Sequence, residues 1–391
     1  MTYDALFARR TLGVRPGLVA VRGVFEALGA PAGSIPAIHV VGTNGKGSIA
    51  AMAEHALRRR GHRTGLFTSP HLLRVTERVR VDGAEVDDTV LEAAIGTVLS
   101  VEGDPGERGR ALSFFEVLTL AALLVFEQSG VDVLVVEAGL GGRLDSTRLV
   151  DAQAVGVGRI DLDHQAYLGD TLQRIAAEKA GVFRDRVPVW SVPQHAPVWA
   201  VLEQAAWDTP CPLRRPDPID APLPGEHQRY NAAVALALAQ HLDPRVALED
   251  LDGTVWPGRL ERRAEGRGEW VLDVAHNPAS MAALAECLRN LPPMDTVIVV
   301  ACAADKDGRA MADTLVGLGA CWTLEDPALG LCPLPGARLF AGVDDPSLAP
   351  LLHAHAEAGG RVVVCGSHRL VGAAMGTWLG EGDRPDPSDP R

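Results

Sequence analysis

The chain has 391 residues, 47% of them hydrophobic, and a formal net charge of −13. That length suits two domains better than one, and an acidic balance without a basic run excludes a nucleic-acid binder built on phosphate neutralisation. Six cysteines (Cys211, Cys287, Cys302, Cys321, Cys332 and Cys365) form no CxxC pair, which argues against a disulfide framework or zinc ribbon and predicts a reducing, cytoplasmic compartment.

The opening MTYDALFARR has no apolar core of the kind a secretory leader carries. Ile38–Val41 then reads as a short apolar strand running into a glycine-rich turn, Ser48–Arg59 as a helix and Gly65–Thr68 as a second strand. The apolar run Ala111–Phe126 is interrupted by Ser113 and Glu116. It is too short and too polar for a membrane span and predicts a buried helix over Phe114–Glu127. Val131–Glu137, Ala154–Ile160, Val187–Val192, Trp270–Ala275, Thr296–Cys302 and Arg361–Gly366 read as further strands, with helical stretches between most of them. The alternation predicts an α/β protein with a mostly parallel sheet flanked by helices. The polar, glycine-rich stretch GRLERRAEGRG at 258–268 reads as a break. It separates an N-terminal domain (1–266) from a second, smaller Rossmann-like α/β domain (267–380). The acidic, proline-rich tail 381–391 reads as disordered.

Of 37 Lys+Arg residues only three are lysines: Lys46, Lys179 and Lys306. Surface positions tolerate arginine for lysine, whereas a compact ammonium or a nucleophilic amine does not. One retained lysine is as well explained by chance; three in separate motifs are not. Lys46 lies in IHVVGTNGKGS, where a strand ends at Val41, a glycine-rich loop follows and a helix begins at once. Such a loop turns backbone N–H groups toward phosphate oxygens at a positive helix end. Gly45, Lys46, Gly47 and Ser48 are therefore expected to bind ATP, with Lys46 at the β- and γ-phosphates and Ser48 near Mg2+. The spacing departs from the common G-x-x-x-x-G-K-[ST] pattern, because Gly47 stands between lysine and serine. The sheet is thus expected to be of P-loop type.

GTNGKGS with its extra glycine resembles the folylpolyglutamate synthase/dihydrofolate synthase family of the Mur ligase superfamily. FTSPHL (67–72), ERVRVDG (77–83), SFFEVLT (113–119), VEAGLGGRLDST (136–147), LDHQAYLGDTL (162–172) and AAEKAG (176–181) continue the likeness in order. LPGEHQRYNA (223–232), WPGRLE (256–261), LDVAHNP (272–278), ADKD (304–307) and GSHRLVG (366–372) complete it. All three lysines fall inside these motifs. The resemblance implies an ATP-dependent acid–amino-acid ligase. It would add L-glutamate to dihydropteroate and/or reduced folates through an acyl phosphate, releasing ADP and phosphate. An amide ligase of the same family acting on a non-folate carboxylate acceptor is the alternative.

By the same resemblance Ser69, Glu137, His164 and Lys179 hold two Mg2+ ions, with Lys179 carbamylated and Lys46, His164 and Lys179 catalytic. The residues alone read differently: Ser69 as a turn serine, Lys179 as a solvated helical lysine, and His164 as a structural or acid–base histidine, since Mg2+ prefers oxygen ligands. Asn231, Arg259, Asp273 and His276 are implied at the nucleotide, although His227, Gln228 and Asn231 read alone as helix capping. The Pro16–Leu18 region, Phe115, Asp145 and Ser146 are implied at the pterin-bearing substrate; an aromatic packs on a flat ring and an aspartate pairs with an amino-pyrimidine edge. Ordinary helix core is the other reading of Phe114 and Phe115. Lys306 stays open between the glutamate side, the phosphate side and orientation of a loop. Arg148, Val274, Asp161, His368 and Arg369 depart from the family pattern, and Arg148 and Ser146 bear on acceptor choice. The expected partners are small molecules only, with no nucleic acid and no membrane, and relatives imply a monomer.

Overall fold

The structure is a computed structural model that describes residues 2–13, 17–103 and 110–381. Its first sheet has eight strands. These are β1 (Pro36–Val41), β2 (Thr64–Phe67), β3 (Val79–Val81), β4 (Ala84–Glu85), β5 (Val133–Glu137), β6 (Asp151–Val157), β7 (Val189–Ser191) and β8 (Leu213–Arg214). They lie in the order β4-β3-β2-β5-β1-β6-β7-β8. Every neighbouring pair from β2 to β8 is parallel, and β3 and β4 fold back antiparallel at one edge. The chain works outward to one side of β1 and then places β6 on the other. At such a reversal the carboxyl ends of a parallel sheet open a crevice for ligands.

Helices cover both faces, so the central strands β1 and β5 are apolar apart from His39 and the terminal Glu137. Helix α1 (Lys46–Arg59) packs over one face. Helix α2 (Phe114–Gln128) packs over the other, within a core that includes Phe67, Leu118 and Leu134. The two polar residues that interrupt the run ahead of α2 form its N-terminal cap. The Ser113 hydroxyl accepts from the Glu116 N–H at 3.3 Å, and the Glu116 carboxylate accepts from the Ser113 N–H at 2.8 Å. Helix α4 (Glu226–Leu242) joins the face covered by α1, and helix α3 (Leu172–Ala180) packs on the opposite face, against Val41, Val155 and Val157. Among the described residues no helix is long and apolar enough to cross a membrane.

The second sheet has seven strands. These are β9 (Glu261–Glu265), β10 (Gly268–Leu272), β11 (Thr296–Ala303), β12 (Ala320–Leu324), β13 (Leu331–Pro333), β14 (Arg338–Phe340) and β15 (Arg361–Cys365). The order is β14-β12-β11-β15-β10-β9, with β13 paired to β11 outside that path; only β9 and β13 run antiparallel to their neighbours. Helix α5 (Pro278–Arg289) covers one face and the helix at Leu348–Glu357 the other.

Strand β9 corrects the expected break. The second sheet begins at Glu261, before residue 267, because the polar stretch ERRAE is an edge strand paired with β10. Its charged side chains suit an exposed edge: Arg262 donates to Glu269 at 2.7 Å and Arg263 to Glu261 at 2.6 Å. A run without apolar alternation gives no sequence signal for a strand. Residues 382–391 of the expected tail lie outside the described residues. Glu381, at its start, is held by the Arg263 guanidinium.

Candidate active site in the interdomain cleft

The carboxyl ends of both parallel sheets face one cavity of about 1420 Å3. From the first domain it is lined by the segments after β1, β5 and β6, and from the second by those after β10, β11 and β15.

The segment after β1 forms the glycine-rich loop. Gly45 has φ +86°, and a Cβ there would lie 2.7 Å from Asn231 Oδ1; a Cβ on Gly47 would lie 2.9 Å from the Trp256 indole nitrogen. The glycine that departs from the common spacing is thus required by the packing of Trp256. Lys46 Nζ donates to Thr43 O at 3.2 Å and lies 3.7 Å from Glu137 Oε1. The Ser48 hydroxyl is buried and accepts from Gln228 Nε2 at 3.2 Å, while Asn231 Nδ2 donates to Gln228 Oε1 at 2.9 Å. Gln228 and Asn231 therefore bind α4 to the loop rather than capping a helix.

Glu137 closes β5, is buried, and accepts from the Ser69 N–H at 3.1 Å. Ser69 and Glu137 therefore meet through the backbone of Ser69. Lys179 on α3 is buried and donates to Gly42 O at 2.7 Å. Burial, and then the charge of Lys46, lower its pKa to about 7. It is not the solvated helical lysine that its local sequence suggests. His164 lines the cavity in a left-handed conformation, with φ +50°.

Asp163, which the sequence reading passed over, joins the two domains. Lys306 Nζ donates to its Oδ1 at 2.5 Å, Asn277 Nδ2 donates to Oδ2 at 3.1 Å, and His276 Nε2 lies 3.5 Å from Oδ2. Burial would raise the Asp163 pKa, but the contact with His276 and the charges of His164 and Lys306 hold it well below the usual carboxylate range. Asn44 and Asn277 exchange hydrogen bonds across the same seam at 3.0 and 3.4 Å. Lys306 thus meets the first domain through Asp163. The only signals in the sequence were the acid before His164 and the rarity of lysine.

On the second wall Asp273 accepts from the N–H groups of Leu260 and Ala275, both at 2.8 Å. Burial raises its pKa against the opposing pull of Arg259. The His276 ring bonds Val274 O at 2.8 Å and lies 5.1 Å from the His368 ring. Val274, which stands for the family glycine, fits because Gly258 leaves room for it: a Cβ on Gly258 would meet its side chain at 2.8 Å. Asp161, another departure, accepts from Asn44 Nδ2 at 3.2 Å and so braces the loop.

The residues expected on the acceptor side, 144–146 and Phe115, all line the same cavity. The Phe115 residue lines the cavity and its ring packs on Phe67 at 5.6 Å, so it belongs to both the core and the cavity wall. Asp145 and Ser146 line the cavity. Arg148 does not: its guanidinium bonds Arg143 O at 3.5 Å, away from the wall. Pro16 lies outside the described residues.

The donor set fits a magnesium–triphosphate group. A buried carboxylate, Glu137, sits beside a loop cation at a helix N-terminus, where glycines are required by close packing. Among the described residues Asp163, His164 and Asp305 also gather their ligand atoms within 4.8 Å of one another. Asp163 is already engaged by Lys306, His276 and Asn277, which makes it a poor metal ligand beside Glu137.

A family profile described as Mur ligase, glutamate ligase domain, matches residues 258–324. This is the two-domain architecture of the Mur ligase class. Escherichia coli FolC in complex with DHPP and ADP superposes with a TM-score of 0.85 at 30% identity, over 96% of this chain and 97% of that one. A bifunctional folylpolyglutamate synthase/dihydrofolate synthase with Mn, AMPPNP and L-glutamate bound gives 0.81 at 30% identity, over 94% and 95%. The chain belongs to the folylpolyglutamate synthase/dihydrofolate synthase family. It is also 32% identical, over 95% of its length, to a probable bifunctional folylpolyglutamate synthase/dihydropteroate synthase of Haloferax volcanii. The chain spans about half the length of the curated relatives first matched.

Proposed function

We propose that this protein is an ATP-dependent ligase that joins L-glutamate to dihydropteroate and/or reduced folates. The observation that carries the proposal is the shared cavity: it holds the Lys46 loop and Glu137, the wall at Asp145, and Asp273 and His276 from the second domain. An acceptor carboxylate oxygen attacks the γ-phosphorus of ATP, ADP leaves, and an acyl phosphate forms. The glutamate amine attacks the acyl carbon, phosphate leaves, and the amide remains after loss of a proton. Lys46 and the N–H groups of the loop hold phosphate charge. Asp273, fixed by two backbone donors, receives the nucleoside, with Arg259, His276 and Asn231 around it. Glu137, Ser69 and His164 hold Mg2+, which supplies further charge neutralisation when bound.

The proposal includes carbamylation of Lys179. A carbamate forms when a neutral amine adds to CO2 and a proton is lost to solvent, and an amine with a pKa lowered to about 7 is half neutral at that pH and more so above it. The product is an anionic oxygen ligand for a second Mg2+. A carbon-13 carbamate resonance from labelled bicarbonate, lost in Lys179→Arg, is the expected result. The proposal also takes the enzyme to be monomeric and cytoplasmic; all six cysteines are free.

The direct test is ADP release with Mg-ATP and glutamate, adding 7,8-dihydropteroate or tetrahydrofolate in separate assays. Turnover with either supports the proposal, and turnover with both makes the enzyme bifunctional. No turnover with either, from folded protein that binds ATP, would leave an amide ligase for another carboxylate acceptor.

A further inference from the structure

Strand β1 is apolar except for His39, which is fully buried between β5 and β6. A polar ring in such a place is costly unless its hydrogen bonds serve a purpose. His39 Nε2 lies 2.9 Å from the Thr147 hydroxyl, and Nδ1 has no hydrogen-bond partner among the described residues. Thr147 Oγ1 donates to Asp145 Oδ1 at 2.6 Å, and its backbone N–H donates to the same oxygen at 3.0 Å. The other oxygen, Oδ2, accepts from the Leu140 N–H at 2.7 Å.

The protons in this chain can be assigned by elimination. A hydroxyl has one proton, and that of Thr147 goes to the carboxylate. Thr147 must then accept from His39, so the ring is the Nε2–H tautomer. Burial, with the charges of Arg184 and Arg148, lowers its pKa to about 3, in keeping with a neutral ring. The neighbouring residue obeys the same logic. Thr119 Oγ1 donates to Phe115 O at 2.8 Å and lies 2.8 Å from Ser146 Oγ, so Ser146 spends its one proton on Thr119. Both wall residues are left with lone pairs only.

We propose that His39 and Thr147, together with Thr119, are positioning residues that fix the wall at Asp145 and Ser146 as a surface of hydrogen-bond acceptors. That wall selects an acceptor molecule whose facing edge carries N–H donors. The proposal rests on the reading of Asp145 and Ser146 as acceptor contacts. A purely structural role for His39 would affect stability without favouring one substrate.

The test is a set of steady-state constants on the full chain for 7,8-dihydropteroate, ATP and glutamate. His39→Met keeps the bulk without the donor, and His39→Gln keeps a donor at similar reach. Thr147→Val keeps the shape without the hydroxyl, and Asp145→Asn is the control. His39→Met and Thr147→Val should raise the dihydropteroate KM about tenfold with the ATP KM unchanged, and His39→Gln should restore most of the loss. Thr119→Val, which releases the Ser146 proton, should raise it about threefold. If His39→Met fails to fold, Thr147→Val decides the matter. An unchanged dihydropteroate KM in both, with a raised one in Asp145→Asn, overturns the relay and leaves the reading of Asp145 intact. An unchanged KM in Asp145→Asn as well overturns that reading, and the proposal with it.

Discussion

The phosphate loop and the acceptor wall lie at strand ends of one sheet, yet they are built by different means. The loop is contiguous: Gly42 to Ser48 supply its glycines, its cation and its hydroxyl within seven residues. The wall is assembled from distant segments, with His39 from β1, Thr119 from α2 and Thr147 beside the wall itself. A loop that works through its backbone depends little on its neighbours' side chains. A wall that works through oriented hydroxyls and a carboxylate depends on every member of its chain. The proposed function then predicts that phosphate chemistry and acceptor choice are separable.

The largest expected effect falls on the loop. Lys46→Met removes the cation and keeps the glycine cradle, and should lower kcat about 100- to 1000-fold. Dihydropteroate binding, followed by fluorescence titration, should be unchanged. An equal loss of acceptor affinity would erase the separation between loop and wall.

The seam between domains gives the intermediate effect. Lys306→Met leaves Asp163 with His276 and Asn277 but without its closest cation. The expected cost is about 1–3 kcal/mol in urea unfolding. A larger radius of gyration in small-angle scattering without nucleotide should accompany it. An unchanged radius would mean that the contacts left, His276 and Asn277 on Asp163 and the Asn44–Asn277 pair, hold the seam without Lys306.

The smallest effect tests the wall by acid. The folded-state pKa of His39, about 3, lies below its ordinary value of 6.5. The unfolded chain therefore takes up a proton that the folded chain refuses. The stability concerned is complete well above pH 6.5 and is lost as pH falls from there toward 3, by about 1.4 kcal/mol per pH unit. His39→Gln should flatten that loss, measured as the thermal midpoint at about pH 7 and about pH 5. Parallel curves for the two proteins would mean that His39 titrates normally.

The sequence by itself determined the alternation of strands and helices, the glycine-rich loop between strand and helix, and the buried helix after Ser113, and it singled out the three lysines. Each is a local pattern, in which apolar period, glycine and capping chemistry act between residues close in the chain. Only the tertiary structure decided that ERRAE is an edge strand, because its partner β10 and not its own composition makes it one. It alone showed that Lys306 meets Asp163 across 143 positions and that Gln228 bonds Ser48 across 180. It alone turned Arg148 away from the wall and placed His39 behind it. Such pairings depend on which side chains long-range packing brings within hydrogen-bond reach, and that proximity has no local signal in the chain.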